Sequence, residues 1–584
     1  MTGELLFYDI EVYKYDSLVV FKDINNRKVR SFWNTRIPEG STCEDMPNGF
    51  EDVRSLIKGN ILVGYNNYYY DDKILTLMMK GLPQKYIKKN NDIIIRSGSD
   101  HIKTDPDIIS LDTMQQIGLA RPSLKRIEGN MGKSIVETSV DFSINRPLTD
   151  EEREEVERYC SYDVENTIEV YRLRKKSYFD TKAELLKMLN NESAARWNTT
   201  TISAQILMNK QQHQWTKLQV PAHLWKNQEL GIDSDVWDMW EKANLDSMTK
   251  GLSQVKTMFD GKCEMTFGFG GLHGVATTGT TFKDVKLLDV GSMYPTIIIY
   301  LRALGDATDK YDQIRKERLA IKHVDKVKSD ALKLVLNSVY GNLKNQYSLL
   351  YNPMASATVC IYGQIALFTL CKRLHEAGYT IVNANTDGVA FCGAGRGYEE
   401  IWHQWEKDFA PMVLELDRFK TWIQKDVNNY IATQGDHIKV KGGETNKYHE
   451  DRLFSNNNIR IVQIAMVNKL LKNEDPGETI IEHMNQPQLF QFILTAGHTY
   501  DGVYDESGNK YNNVNRVFAC KPKYANPKLY KRRPDGGLVN FPDLPEHCMI
   551  WNGDVNDLTD FKDKIDIKYY TNLVNDKLKG WINT

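Results

Sequence analysis

The first part of the chain is patterned as strands. Residues 4–22, ELLFYDIEVYKYDSLVVFK, are rich in β-branched and aromatic side chains and lack a helical period, which predicts strands. ILVG at 61–64 opens a second strand-like run. Residues 149–176 have one strong helical pattern, started by a capping box of Thr149 and Glu152. Residues 176–250, rich in Lys, Gln, Leu and Trp, are mostly helical in pattern. FGFGGLHG at 267–274 predicts a loop or a close backbone approach. KLLDV reads as a strand ending near Asp289, and Pro295 fits the first turn of a helix TIIIYLRAL. No Gly or Pro occurs from Asp306 to Tyr340, and the polar HVDKVKSD at 323–330 divides this stretch into two helices. YTIVNANTDGVAFCG at 379–393 predicts two short strands around an Asp-Gly turn. The C-terminal third is mixed, with a hairpin-like DESGNK at 505–510 and a basic run KPKYANPKLYKRR at 521–533.

Composition narrows the class. The 584 residues are 41% hydrophobic and 26% charged, the balance of a globular chain long enough for several domains. The net charge of −2 means that any polyanion site is a local basic groove. Eight scattered cysteines with no C-x-x-C pair argue against a structural zinc or iron–sulfur centre and fit a reducing compartment. Glu4, Asp9 and Glu11 are incompatible with a secretory leader, and no apolar run is expected to reach the length of a membrane span. The expected setting is cytoplasmic.

Carboxylates carry the chemistry. Asp9 and Glu11, two apart on a strand, leave the same face. Asn66 and Asn67 precede Asp71, and Tyr159 and Asp163 are one helical turn apart. Together Asp9, Glu11, Asp71 and Asp163 are suited to hold two hard divalent cations that assist phosphodiester hydrolysis, with Tyr159 orienting the attacking water. A second set needs tertiary pairing. If the Asp289 strand neighbours the 379–393 hairpin, Asp289 and Asp387 face each other across another metal pair. Between them in sequence, Arg315, Arg318 and Lys322 form one helical stripe and Lys333, Asn337 and Tyr340 another, a cationic wall for a triphosphate.

The ordered motifs D-x-E, N-x(2–3)-Y-D and Y-x-x-x-D resemble the exonuclease motifs of family B DNA polymerases. Asp289 through Pro295, Lys333 through Gly341 and NANTDG at 383–388 resemble that family's three polymerase motifs. The resemblance implies an α/β multidomain protein. Its parts would be a ribonuclease H-like 3′–5′ exonuclease domain over 1–175 and a helical connecting region over 176–260. A right-hand polymerase would follow, with palm at 261–303 and 346–445, fingers at 304–345, and thumb and C-terminal region at 446–584. It implies two Mg2+ ions per site, replaceable by Mn2+, with Val290 beside Asp289 and Asp387 as a further ligand. Tyr294 would exclude a 2′-hydroxyl, Arg318, Lys322 and Lys333 would hold the dNTP, and Asn337 and Tyr340 would border the nascent pair. Asn66, Asn67, Ser123 and Leu124 would contact a single-stranded 3′-end. Tyr430, Lys439 and Lys441 would contact primer–template DNA.

The chain departs from the family at two points of the third motif: Asn385 stands for an Asp and Gly388 for a Ser. The K-x-Y motif is reduced to Asn428-Asn429-Tyr430, and Y-x-G-G is only echoed by FGFGG. The intervals Asp289–Lys333 and Lys333–Asp387 are too short for the insertions of protein-primed relatives, and the early D-x-E leaves no room for a preceding domain. A compact, phage-like enzyme is expected. The rival readings are a nuclease with a decayed polymerase half, supported by Asn385 alone, and a non-enzymatic DNA-binding protein.

Overall fold

The computed structural model describes residues 3–35, 49–118, 121–259, 261–277, 279–445, 453, 459–497, 499–542 and 544–582. The expected junction at 445–446 adjoins residues outside this set. The chain is a mixed α/β protein with several sheets, and it divides into two units. One comprises Met1–Asn198, Arg452–Ile459 and His483–Tyr569, the other Thr199–Asp451, Arg460–Glu482 and Tyr570–Thr584.

The first unit is built on a five-stranded sheet of β1 (Leu5–Val12), β2 (Ser17–Lys22), β3 (Lys28–Trp33), β4 (Ile61–Gly64) and β5 (Ser110–Asp112), in the order β3-β2-β1-β4-β5. β2 is antiparallel to both neighbours, while β4 runs parallel to β1 and β5 to β4. Every residue of β2 is buried, so both faces of the sheet are covered. The Asp150–Arg174 helix starts at the expected capping box and places Asp150, Glu151 and Glu152 at its positive end. Val156, Cys160 and Val164 are among its buried positions. Residues 483–569 belong to this unit. Their buried Arg516 donates to the carbonyls of Gly129 and Lys133 and so ties down the end of the Leu124–Met131 helix.

The second unit holds a nine-stranded antiparallel sheet. Its strands are β6 (Gln254–Phe259), β7 (Cys263–Gly268), β8 (His273–Ala276), β9 (Thr281–Val290), β10 (Thr380–Asn385), β11 (Gly388–Cys392), β12 (Leu414–Gln424), β13 (Tyr430–Gln434) and β14 (His437–Lys441). They are ordered β14-β13-β12-β9-β11-β10-β8-β7-β6. The two expected helices form at Thr308–Ile321 and Lys326–Lys344.

Several expectations need correction. Between 208 and 233 the chain is largely irregular and mostly exposed, held down at Leu224, Leu230 and Ile232, which are buried, and by Trp225, which packs edge to face on Trp237. FGFGGLHG is partly strand: β7 and β8 enclose a short loop at 269–272. The helix containing Pro295 spans Met293–Tyr300, starting earlier and stopping sooner than TIIIYLRAL implies. The Pro353–Glu376 helix is long and apolar enough to cross a membrane by length and composition, contrary to the expectation. Almost all of it is buried inside its unit, the placement of a core helix.

Candidate active sites

In the first unit, β1 carries Asp9 and Glu11, the Asp71–Met79 helix begins with Asp71, and the Asp150–Arg174 helix carries Tyr159 and Asp163. Burial raises all four carboxyls, and repulsion between acids adds to it in Asp9, Glu11 and Asp71. Asp9 reaches about 7, through burial and then the charge of Asp163. Glu11 is raised by burial, then by Asp9 and Asp163, and Asp71 by burial, then by Asp9 and Asp72. Burial raises Asp163 too, opposed by Lys125. Concentrated, desolvated carboxylates of this kind have the chemistry to hold a divalent cation. Asp71 Oδ1 is buried without a hydrogen-bond partner, an oxygen left open for such an ion.

The sequence reading missed three groups. Lys125 pairs with Asp163, lies 3.2 Å from Glu128 Oε1, and sits 4.5 Å above the Tyr159 ring. Glu128, held by Asn166 at 3.1 Å, is pushed up to about 8 by burial. The Cys160 thiol approaches Asp9. The expected DNA contacts separate into two kinds. Ser123 is exposed and caps the Leu124–Met131 helix, Leu124 is half-buried, and Asn66 is half-buried with φ 61°. Asn67 is fully buried and donates to Asp72, so its amide supports the fold rather than facing DNA.

In the second unit, β9 lies between β11 and β12. Asp289 is paired with Gly388 on one side and Glu415 on the other. Asp387 lies in the two-residue turn between β10 and β11, where its carbonyl accepts from Val290 N–H at 2.7 Å. This brings Asp289, Val290 and Asp387 together from two distant segments. Asp289 is raised to about 6 by burial and then by Asp387, with Lys439 opposing. Asp387 is raised by burial, with Lys441 and Lys439 opposing. Glu415 and Asp417, both unmarked in the sequence reading, add to the negative field.

Beside the carboxylates is a pocket of about 270 Å³ lined by Tyr294, Asn337, Tyr340, Thr386 and Asp387 among others. Tyr294 and Tyr340 stack at 4.4 Å between ring centroids. The 269–272 loop passes close by, and Thr386 N–H donates to Leu272 at 2.9 Å. A Cβ on Gly271, whose φ is +135°, would come within 3.3 Å of both Tyr294 and Thr386 oxygens. The glycine therefore permits the approach that the sequence foreshadows.

The cationic stripe is only partly available. Arg315 pairs with Asp312 on its own helix. Arg318 is half-buried with an unpartnered Nε, while Lys322 and Lys333 are exposed. Lys439 and Lys441 share a face of β14, and both charges act on Asp387. Tyr430 is largely buried, its ring stacked on Trp422 at 4.2 Å. Asn385 donates to the Val427 carbonyl at 3.1 Å and Asn428 Oδ1 at 3.2 Å, two bonds that an Asp could not make.

No protein-family model and no curated protein matches the chain. Among solved structures it is similar to the family B DNA polymerase from the hyperthermophilic archaeon Pyrobaculum calidifontis. The TM-score is 0.44 at 13% identity, covering 100% of this chain and 78% of that one.

Proposed function

We propose that the chain is a template-directed DNA polymerase with a 3′–5′ proofreading exonuclease, acting in the replication of a phage genome in the host cytoplasm. The observation that carries this reading is the convergence of three sequence-distant motifs. Asp387, Tyr294, Asn337 and Tyr340 line one pocket, and Asp289 stands beside Asp387 on β9, paired with Gly388, although these residues come from three separate segments of the chain. The donor sets suit Mg2+, with Mn2+ as substitute, held by Asp289, Asp387 and Val290 in one centre and by Asp9, Glu11, Asp71 and Asp163 in the other. When bound, such ions stabilise the attacking and leaving oxygens of phosphoryl transfer.

In this reading the nine-stranded sheet is the palm and the helices between Thr308 and Lys344 are the fingers. A primer 3′-hydroxyl attacks the α-phosphate of a dNTP, and pyrophosphate leaves. Lys439 and Lys441 hold the primer strand beside Asp387. Arg318, Lys322 and Lys333 hold the triphosphate, and Tyr294, backed by Tyr340, excludes a 2′-hydroxyl. A ribonuclease H-like exonuclease is supported by the β3-β2-β1-β4-β5 order with β2 alone reversed. There Lys125, which sits over the Tyr159 ring, pairs with Asp163, and Tyr159 orients water. The hydrogen bonds of Asn385 to Val427 and Asn428 give it a structural task, which supports an intact polymerase half over a decayed one.

The test is primer extension with a labelled primer, Mg2+ and four dNTPs, and degradation of a labelled single strand without dNTPs. Asp289→Asn or Asp387→Asn should abolish extension and spare degradation. Asp9→Ala with Glu11→Ala should do the reverse. Extension near the parental rate by the first pair would sink the polymerase assignment, and continued degradation by the second the exonuclease assignment.

A further inference from the structure

A sulfur atom sits inside the first unit's oxygen-rich centre. Cys160 is fully buried, and its Sγ lies 3.4 Å from the Asp9 carbonyl oxygen and 3.7 Å from Asp9 Oδ2. The ligand atoms of Asp9, Glu11 and Cys160 all lie within 4.8 Å of one another. Asp71 points to a ligand independently. It is 4% exposed, its Oδ1 has no partner, and its charge acts on Asp9, Glu11 and Cys160 alike.

We propose that this centre also binds a thiophilic divalent cation, with zinc as the type, through Cys160, Asp9 and Glu11, and that zinc so bound displaces the ion that supports hydrolysis. The proposal deepens the reading of these carboxylates as a metal centre. Zinc takes sulfur at about 2.3 Å and carboxylate oxygen at about 2.0–2.2 Å in a tetrahedron. Two such ligands are then roughly 3.6 Å apart, close to the 3.7 Å between Cys160 Sγ and Asp9 Oδ2. The donors therefore already stand at nearly the right separation. Mg2+ demands an octahedron of oxygens and makes no use of the thiol, whereas a borderline-soft ion gains the thiolate. On binding, the S–H bond breaks, the proton leaves to solvent and the sulfur–metal bond forms. Removing one positive proton from a site crowded with carboxylates while adding a dication lowers their mutual repulsion. Binding should therefore be favoured as pH rises.

The full chain, stripped of metal with chelator, is titrated with Co2+ as an optical substitute for zinc. The wild type should develop the near-ultraviolet charge-transfer absorption of a cobalt thiolate, and added zinc should abolish it. Cys160→Ser, similar in volume, should lose the band, as should Asp9→Asn with Glu11→Gln; Cys160→Ala provides a second test should the serine variant not fold. No band in the wild type, or an equal band in a folded Cys160 variant, overturns the proposal. Degradation of a labelled single strand in Mg2+ is then followed with added zinc, each protein compared with its own zinc-free rate. The zinc concentration for half-inhibition should rise roughly tenfold or more in the Cys160 variants, and an unchanged concentration overturns the proposal. If the wild type degrades no strand under any condition, the exonuclease reading fails, and the cobalt band alone decides the metal site.

Discussion

Gly388 faces Asp289 directly across the β9–β11 pair. A methyl group there, as in Gly388→Ala, would have its Cβ 2.7 Å from Asp289 Oδ1 and 3.1 Å from Leu287 Cδ1. Ordinary contact begins near 3.4 Å, so the carboxylate must withdraw by roughly 0.7 Å. Its retreat from β11 is toward β12, where Glu415 is paired with it and repels it. Both clashing atoms are side-chain ends, and Gly388 does not have a positive φ, so the backbone can keep its path. Loss of glycine's freedom in the unfolded chain returns about 0.4–1 kcal/mol, which offsets much of the crowding. The expected result is a midpoint of unfolding close to wild type. Extension, by contrast, should fall about tenfold to a hundredfold, because a reacting group misplaced by most of an ångström costs that much. Single-turnover extension at saturating dNTP, with thermal unfolding alongside, measures both. Extension within about twofold of wild type would refute the placement of Asp289 as a metal ligand constrained by Gly388. A parallel loss of fold and rate would refute the claim that only the carboxylate moves.

Three further outcomes follow from the same geometry. Tyr294→Ala removes the ring stacked on Tyr340 and should raise ribonucleotide relative to deoxyribonucleotide incorporation by roughly tenfold or more; an unchanged ratio of the two efficiencies counts against a gate at Tyr294. Asn385→Asp replaces donors to Val427 and Asn428 with an acceptor, so it should cost about 1–3 kcal/mol in urea unfolding without faster extension; faster extension at unchanged stability would show that the amide is not structural. Asp9 and Asp289 have carboxyls raised from 3.8 to about 7 and about 6. The folded state thus holds their protons more tightly than the unfolded state, and metal-free stability should fall by the order of a few kcal/mol as pH rises from about 4 to 7. Asp9→Asn should accordingly raise the metal-free Tm at pH 8, and a lowered Tm there would contradict this.

What was legible in the sequence was local. The Asp150–Arg174 helix is announced by its capping box, the β10–β11 hairpin by Asp-Gly, and the helix pair by the absence of Gly and Pro. Asp289 and Asp387 could be paired on paper only by assuming that their strands are neighbours, and they are. What escaped was set by tertiary packing. Glu415 is an ordinary strand acid until β12 pairs with β9. Lys125 and Cys160 gain their surroundings when two helices converge on β1, and no spacing rule connects them. Arg315 looked like its neighbours in the stripe, but Asp312, three residues before it on the same helix, neutralises it. Residues 483–569 join the N-terminal unit through contacts such as those of Arg516, which lie more than 350 positions away in sequence.

The buried acids of the first unit sort by whether the fold itself compensates their charge. Asp16 receives Arg153 and the Leu148 N–H, so its charge is spent in tying the Asp150–Arg174 helix to the sheet. Asp72 receives Arg196, Tyr8, Asn67 and, at 2.7 Å, Ser110. Its neighbour Asp71, equally buried, has no ion-pair partner among the described residues, and neither do Asp9 and Glu11. Desolvated carboxylates left without a cation cost several kcal/mol each in the folded state unless they take up protons. Adjacent positions 71 and 72 share one helix turn and one composition, so propensity and pattern cannot distinguish them. Compensation can. The fold supplies Arg196 to one acid and no ion pair to the next, as it supplies Lys125 to Asp163 but no ion pair to Asp9, and in the other unit Lys439 and Lys441 act on Asp289 and Asp387 without forming an ion pair with them among the described residues.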